Sequence, residues 1–168
     1  MHTREETLNR INEIAAFAER IPTASLNLDM WHREQEDQSC GTVCCVMGWL
    51  TENRMFGLQW DSKDRLYPEL VEDGEHYAGF TVCEKVLLGS HKIDLEAKQI
   101  SYNLFAAIGD SHYDEKEEIV ALIERTGGKF ACDQKQVFMK RLSFAIEDIN
   151  NLYDRVEAES VQVSNTVR

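Results

Sequence analysis

Apolar residues fall at helical spacing over most of this chain. Leu8, Ile11, Ile14, Ala15, Ala18 and Ile21 recur every three or four positions, and Pro22 ends the run. Thr3 and Glu6 stand ahead of it as a T-x-x-E capping box, so the spacing predicts an amphipathic helix over 4–20. Residues 23–39 are polar and irregular, with Leu26, Leu28, Met30 and Trp31 as anchors to a core. Val43, Val46, Met47 and Leu50 then define one face of a second helix. Its start is capped by Ser39 or Thr42, Gly41 permits a tight entry, and its end falls near Asn53. Gly48, unfavourable within a helix, marks a close approach by another backbone.

Residues 57–72 alternate weakly around Leu58 and Trp60 and fit one short strand or hairpin. From Ala78 a helix resumes with Val82, Cys83, Val86 and Leu87 inward, stopped by Gly89. Asp94 caps the next, which buries Ala97, Ile100, Ser101, Leu104, Phe105 and Ile108 and ends at Gly109. Asp114 with Glu117 opens another around Ile119, Leu122 and Ile123, closed by Gly127 and Gly128. Asp133 caps the longest segment, with Val137, Phe138, Leu142, Ala145, Ile149 and Leu152 inward. The fold class is therefore mostly α: a compact single-domain bundle of about six helices with at most a small β element near 57–72. Residues 1–155 form that domain and 156–168 a flexible tail. The helix over 134–155 adds an interface of its own, because Phe138, Phe144 and Tyr153 fall off its main stripe and offer a homodimer surface.

Composition sharpens this picture. With 168 residues, 43% of them hydrophobic, the chain can close a core without disulfides. No apolar run approaches the roughly 20 residues of a membrane helix. The first ten residues lack an apolar signal core, so a cytoplasmic location with reduced thiols is expected. The net charge of −12 disfavours nucleic acid, since no basic patch offsets it; its first reading is solubility, and attraction to a basic protein is the sharper alternative.

The stretch "QSCGTVCCVMGWL" at 38–50 carries the candidate chemistry. Cys40 at a helix start has the placement of an activated thiol, with His76 as a candidate base oriented by Asp61 or Asp73. Too little strand signal supports that histidine for a cysteine hydrolase to be the leading reading. Zinc would need a second ligand pair beside Cys40, Cys44 or Cys45 and His32. Cys83, Cys132, His2, His76, His91 and His112 are single, so no metal site and no cofactor are expected. The favoured reading is packing: cysteine behaves as a small buried hydrophobe, and with Gly48 it lets a neighbouring helix come close.

The combination of Cys40, Gly41, Thr42, Cys45, Gly48 and Trp49 resembles a Cys-Gly-Thr-x-x-Cys-x-x-Gly-(His/Trp) motif of small, largely uncharacterised phage and bacterial proteins. A first short helix and "LDMWH" at 28–32 ahead of it, and Leu87-Leu88-Gly89, Leu104-Phe105 and Ile123-Glu124 after it, stand in the order such proteins show, so the likeness spans residues 5–127. Ser90, where an apolar residue is usual, and the added helix 134–155 depart from it. The resemblance implies a phage or prophage origin and a structural role for Cys40 and Cys45 at the loop-to-helix junction. It implies no reaction.

The leading function is a non-enzymatic binding module that occupies a host protein, in host takeover or anti-defence. Trp60, Tyr67, Tyr77 and Tyr113, set among acids, are its contact residues. Two alternatives stay open: sequestration of a signalling nucleotide through Arg33, Arg54, Lys63 or Arg65, and a hydrolase built on Cys40.

Overall fold

The protein is described by a computed structural model covering residues 1–29, 33–34, 42–43, 45–61, 67–129 and 131–166, with only the backbone given at 33–34, 42–43 and 160–166. Helix α1, Arg4–Ala18, starts at the capping box: Glu6 N–H donates to Thr3 Oγ1 at 3.2 Å and Thr3 N–H to the Glu6 carboxylate at 2.7 Å. Both halves of the sequence signature are therefore present. Ile11, Ile14, Phe17 and Ala18 face inward.

The next segment departs from expectation. Val43 lies in a strand, β2 (Thr42–Val43), paired antiparallel with β1 (Arg33–Glu34). Helix α2 runs Val46–Glu52 and is capped by Cys45, whose sulfur accepts the Gly48 N–H at 3.4 Å. The N-cap position is thus three residues beyond Thr42, and Ser39 lies outside the described residues. A valine fits a strand as readily as a helix face, and four apolar positions cannot separate the two periods.

The β element of 57–72 is a three-stranded antiparallel sheet reaching Ala78: β3 (Leu58–Trp60), β4 (Pro68–Glu72) and β5 (Glu75–Ala78). Leu70 pairs with Tyr77, and Val71 with His76. Alternation along the strands turns Leu58, Leu70 and Tyr77 toward the core, and Gln59, Glu69, Val71 and His76 away from it. Helix α3, Phe80–Leu88, follows with Val82, Cys83, Val86 and Leu87 buried, and Gly89 ends it at φ +71°. Helix α4, Leu95–Phe105, is capped by Asp94, which accepts the Ala97 N–H at 2.8 Å. It stops at Phe105 instead of Gly109, which sits in the following turn.

Asp114 does not cap a helix. It lies in a short 3-10 turn, His112–Glu115, and its carboxylate engages Arg141; α5, Glu117–Arg125, begins without a side-chain cap. Helix α6 spans Gln134–Thr166, so 156–166 continues the helix where a tail was expected. Val137, Phe138, Leu142, Ala145, Ile149 and Leu152 are all buried on it. Phe138 and Tyr153 are buried too, and Phe144 packs its ring against Tyr113 at 5.8 Å, so these three make no free homodimer surface. Helix α6 is the central rod, contacting α1, α4 and α5, while the sheet leans on α2 and α3. The architecture is a mostly helical bundle with a small sheet on one side. Among the described residues no helix is long and apolar enough to cross a membrane.

Candidate functional site

Cys40, Gly41 and Cys44 lie outside the described residues, as do Met30, Trp31, His32, Lys63 and Arg65. The remainder of the motif is structural in its geometry. Cys45 and Gly48 are buried, and burial pushes the Cys45 thiol up to about 11. Trp49 is half-buried and donates its indole N–H to Ser25 O at 2.9 Å. Cys83, fully buried with Cys45 among its neighbours, is raised well above the usual thiol range by burial. Burial also raises Cys132. A thiol that resists ionisation is a poor nucleophile, so none of these three is suited to attack. Among the described residues no group of three or more His, Cys, Asp and Glu is placed to hold a metal.

His76 does sit on a strand, β5, for which the sequence carried little signal, with its imidazole exposed. Its Nδ1 lies 2.7 Å from Glu69 Oε1, and Gln59 Nε2 donates to the other oxygen at 3.1 Å. These two hydrogen bonds, His76 first, hold the Glu69 carboxyl below the usual range. Two residues diagonal across the β4–β5 ladder thus fix each other on the outer face of the sheet.

The contact aromatics divide. Tyr67 is 49% exposed just ahead of β4, and Val71 is 41% exposed on the outer face. Trp60 is half-buried at the end of β3 and donates its indole N–H to Glu52 at 2.8 Å. Tyr77 turns inward, with Lys85 Nζ 4.7 Å from its ring centre and the His91 ring 5.0 Å away, tilted by 47°. Its hydroxyl donates to Glu75 at 2.6 Å. That bond, with burial and neighbouring carboxylates, pushes the phenol up to about 12; the same bond, with Lys92, His91 and Lys85 nearby, draws Glu75 down. Tyr113 is only 3% exposed and donates to Asp148 at 2.7 Å, so it is a core residue and leaves the contact set.

Between Tyr67 and Ala78 the hairpin carries Glu69, Glu72, Asp73 and Glu75 and neither lysine nor arginine. Lys85, from α3, pairs with Glu72. The outer face thus sets the exposed Val71 beside Glu69 and His76, with Asp73 at the turn, while Glu72 and Glu75 share the face of Leu70 and Tyr77. By contrast, the groove of about 700 Å³ between α2 and β3 sets Arg54 beside Glu52 and Asp61. Among the described residues of that groove one cation faces two carboxylates, a lining that does not favour a phosphate. No residue of the hairpin is distinctive by motif; what marks it is the run of acids between Tyr67 and Tyr77, which the sequence displays openly.

No family model matches the chain, and neither a curated protein nor a solved structure matches it.

Proposed function

We propose that the protein is a non-enzymatic binding module whose outer sheet face docks a basic protein. The observation that carries this reading is the hairpin, where Tyr67 and Val71 are exposed, Glu69 shares the outer face and Asp73 stands at the turn, while Glu72 and Glu75 lie on the other face, engaged by Lys85 and the Tyr77 hydroxyl. An exposed apolar centre with a charged surround is the arrangement of a protein interface, and the charge sign selects the partner. The overall charge of −12 adds long-range attraction for a cationic surface. The likeness of residues 40–49 to phage and bacterial proteins makes a host protein the partner class proposed.

A photo-crosslinking residue placed at Val71 tests the reading. It is expected to give a discrete protein adduct in host lysate that disappears as salt rises. The same group at Glu13, exposed on α1, serves as the control. Equal labelling at both positions, or none at Val71, removes the interface.

A further inference from the structure

The hairpin closes on Asp73 and Gly74, both at positive φ (+51° and +82°). A two-residue turn of that kind makes its flanking residues, Glu72 and Glu75, a pair that exchanges both backbone hydrogen bonds. Bonded and non-bonded pairs then alternate along the ladder. Leu70 and Tyr77 exchange bonds, while Val71 and His76, like Glu69 and Ala78, stand opposite each other without them. The β3–β4 ladder agrees, because Asp61 N–H donates to Tyr67 O at 3.0 Å and so puts Gln59 and Glu69 in the next bonded pair. Pro68 turns its missing N–H toward β5, and there the β4–β5 ladder stops.

The N–H and C=O of His76 and of Ala78 consequently point away from β4, along the open edge of the sheet. Among the described residues no hydrogen bond engages these four groups. Both residues are exposed. Edge strands are commonly guarded by a lysine, a proline or a bulge, and Glu75-His76-Tyr77-Ala78 has neither lysine nor proline. The opposite edge differs: Leu58 N–H donates to Met55 O, and β3 lies against α2.

We infer, resting on the binding reading above, that β5 accepts an extended, cationic segment of the partner as a fourth strand. The free backbone groups set the form. Two residues of the incoming strand, two apart, each exchange both bonds, one with His76 and one with Ala78. Their side chains share the outer face with Ala78, whose methyl group suits an apolar neighbour. The residue between them turns to the side of Glu75 and Tyr77, and the strand continues past Asp73 at the turn, so lysine or arginine is matched there. Charge also selects the source. A second copy would bring together two hairpins, each with four carboxylates and neither lysine nor arginine, and like charge opposes that pairing.

Amide hydrogen exchange on the full-length protein, read by NMR, tests this with three blocked peptides. The first is Lys-Val-Lys-Val-Lys-Thr, the second carries methyl groups on both valine nitrogens, and the third carries them on the second and third lysine nitrogens. In the free protein the His76 and Ala78 amides should exchange faster than those of Leu70 and Tyr77. The unmethylated peptide should slow both about tenfold when about nine-tenths of the protein is bound, since only the free fraction exchanges. Methylated valines, which lose the two donors that face β5, should weaken binding about tenfold. Methylated lysines, whose nitrogens face solvent, should leave it within about twofold. Ala78→Pro removes one outward donor and no bond to β4, and should weaken the unmethylated peptide about fivefold. Equal effects of the two methylations, slow exchange at His76 and Ala78 before peptide is added, no binding of the unmethylated peptide, or equal binding of a glutamate-for-lysine peptide overturns the inference. Protection that grows with protein concentration alone also overturns it, in favour of self-pairing. A Val71 adduct in lysate that Ala78→Pro leaves undiminished overturns strand pairing alone and leaves the docking face standing.

Discussion

Arg141 and Asp114 meet in a two-pronged ion pair, Nε to Oδ1 at 2.8 Å and Nη2 to Oδ2 at 2.6 Å, with the arginine fully buried. Arg141 also donates through Nη1 to Ala106 O at 2.5 Å and through Nη2 to Ala107 O at 3.0 Å, while Asp114 accepts the Gly109 N–H at 2.7 Å. One side chain of α6 thereby ties down the end of α4 and the turn that leads to α5. Nearly every donor and acceptor is satisfied, which is the condition under which a buried pair is tolerated. Removing one member strands the other. Arg141→Met is expected to cost about 3–5 kcal/mol in urea unfolding, because a buried carboxylate and two carbonyls lose their partner. Arg141→Met with Asp114→Leu should cost clearly less than the two single changes summed. Additive costs would show that the pair is not coupled.

The three described thiols carry a second expectation. Cys45, Cys83 and Cys132 are buried, and burial raises each above the usual thiol range. A raised value means less thiolate at neutral pH, and thiolate is the alkylated species. Iodoacetamide treatment of the native protein should leave peptides containing these three unmodified, while denaturant exposes them all. Rapid native labelling of Cys45, read by mass spectrometry, would contradict the sealed junction between α2 and α3.

The helices were legible where apolar periodicity ran for three turns or more and a cap stood ahead of it. Thr3 with Glu6, Asp94 and Asp133 all cap as read, since an N-cap is a local interaction between residues three apart. Asp114 was misread for the same reason: its partner lies 27 residues away, and the local pattern alone suggested a cap. Arg141 did leave a signal. It falls four after Val137, three after Phe138 and four before Ala145, within the buried stripe, and a cation on such a stripe requires a buried partner. The sheet was hard to delimit because its strands are three to five residues long and one face is exposed. Tyr113 and Tyr67 look alike in sequence, each beside acidic residues; only the turn that buries Tyr113 against α6 separates core from surface.

Gly89 and His2 make a third case. The glycine ends α3 at φ +71°, a conformation that L side chains rarely adopt. The His2 ring lies where a β-carbon would stand, and the His2 N–H donates to Leu88 O at 2.7 Å. The N-terminus is thus the lid on the C-terminal end of α3. Gly89→Ala should cost about 1–2 kcal/mol through backbone strain alone, and more from the collision. In a His2→Ala background the collision is gone and the strain stays. The cost of Gly89→Ala should therefore fall there without vanishing, and an unchanged cost would mean that His2 does not cover this helix end.

Ser101 offers a change in the opposite direction. It is 1% exposed on α4, and among the described residues its hydroxyl has no hydrogen-bond partner. A buried hydroxyl left unpaired costs about 1–3 kcal/mol, and alanine is the better helix former. The void left by one oxygen is too small to offset both. Ser101→Ala is expected to stabilise the protein by about 1 kcal/mol, raising Tm by about 2–4 °C for a chain of this length. A fall in Tm would instead reveal a water or other partner held by the hydroxyl.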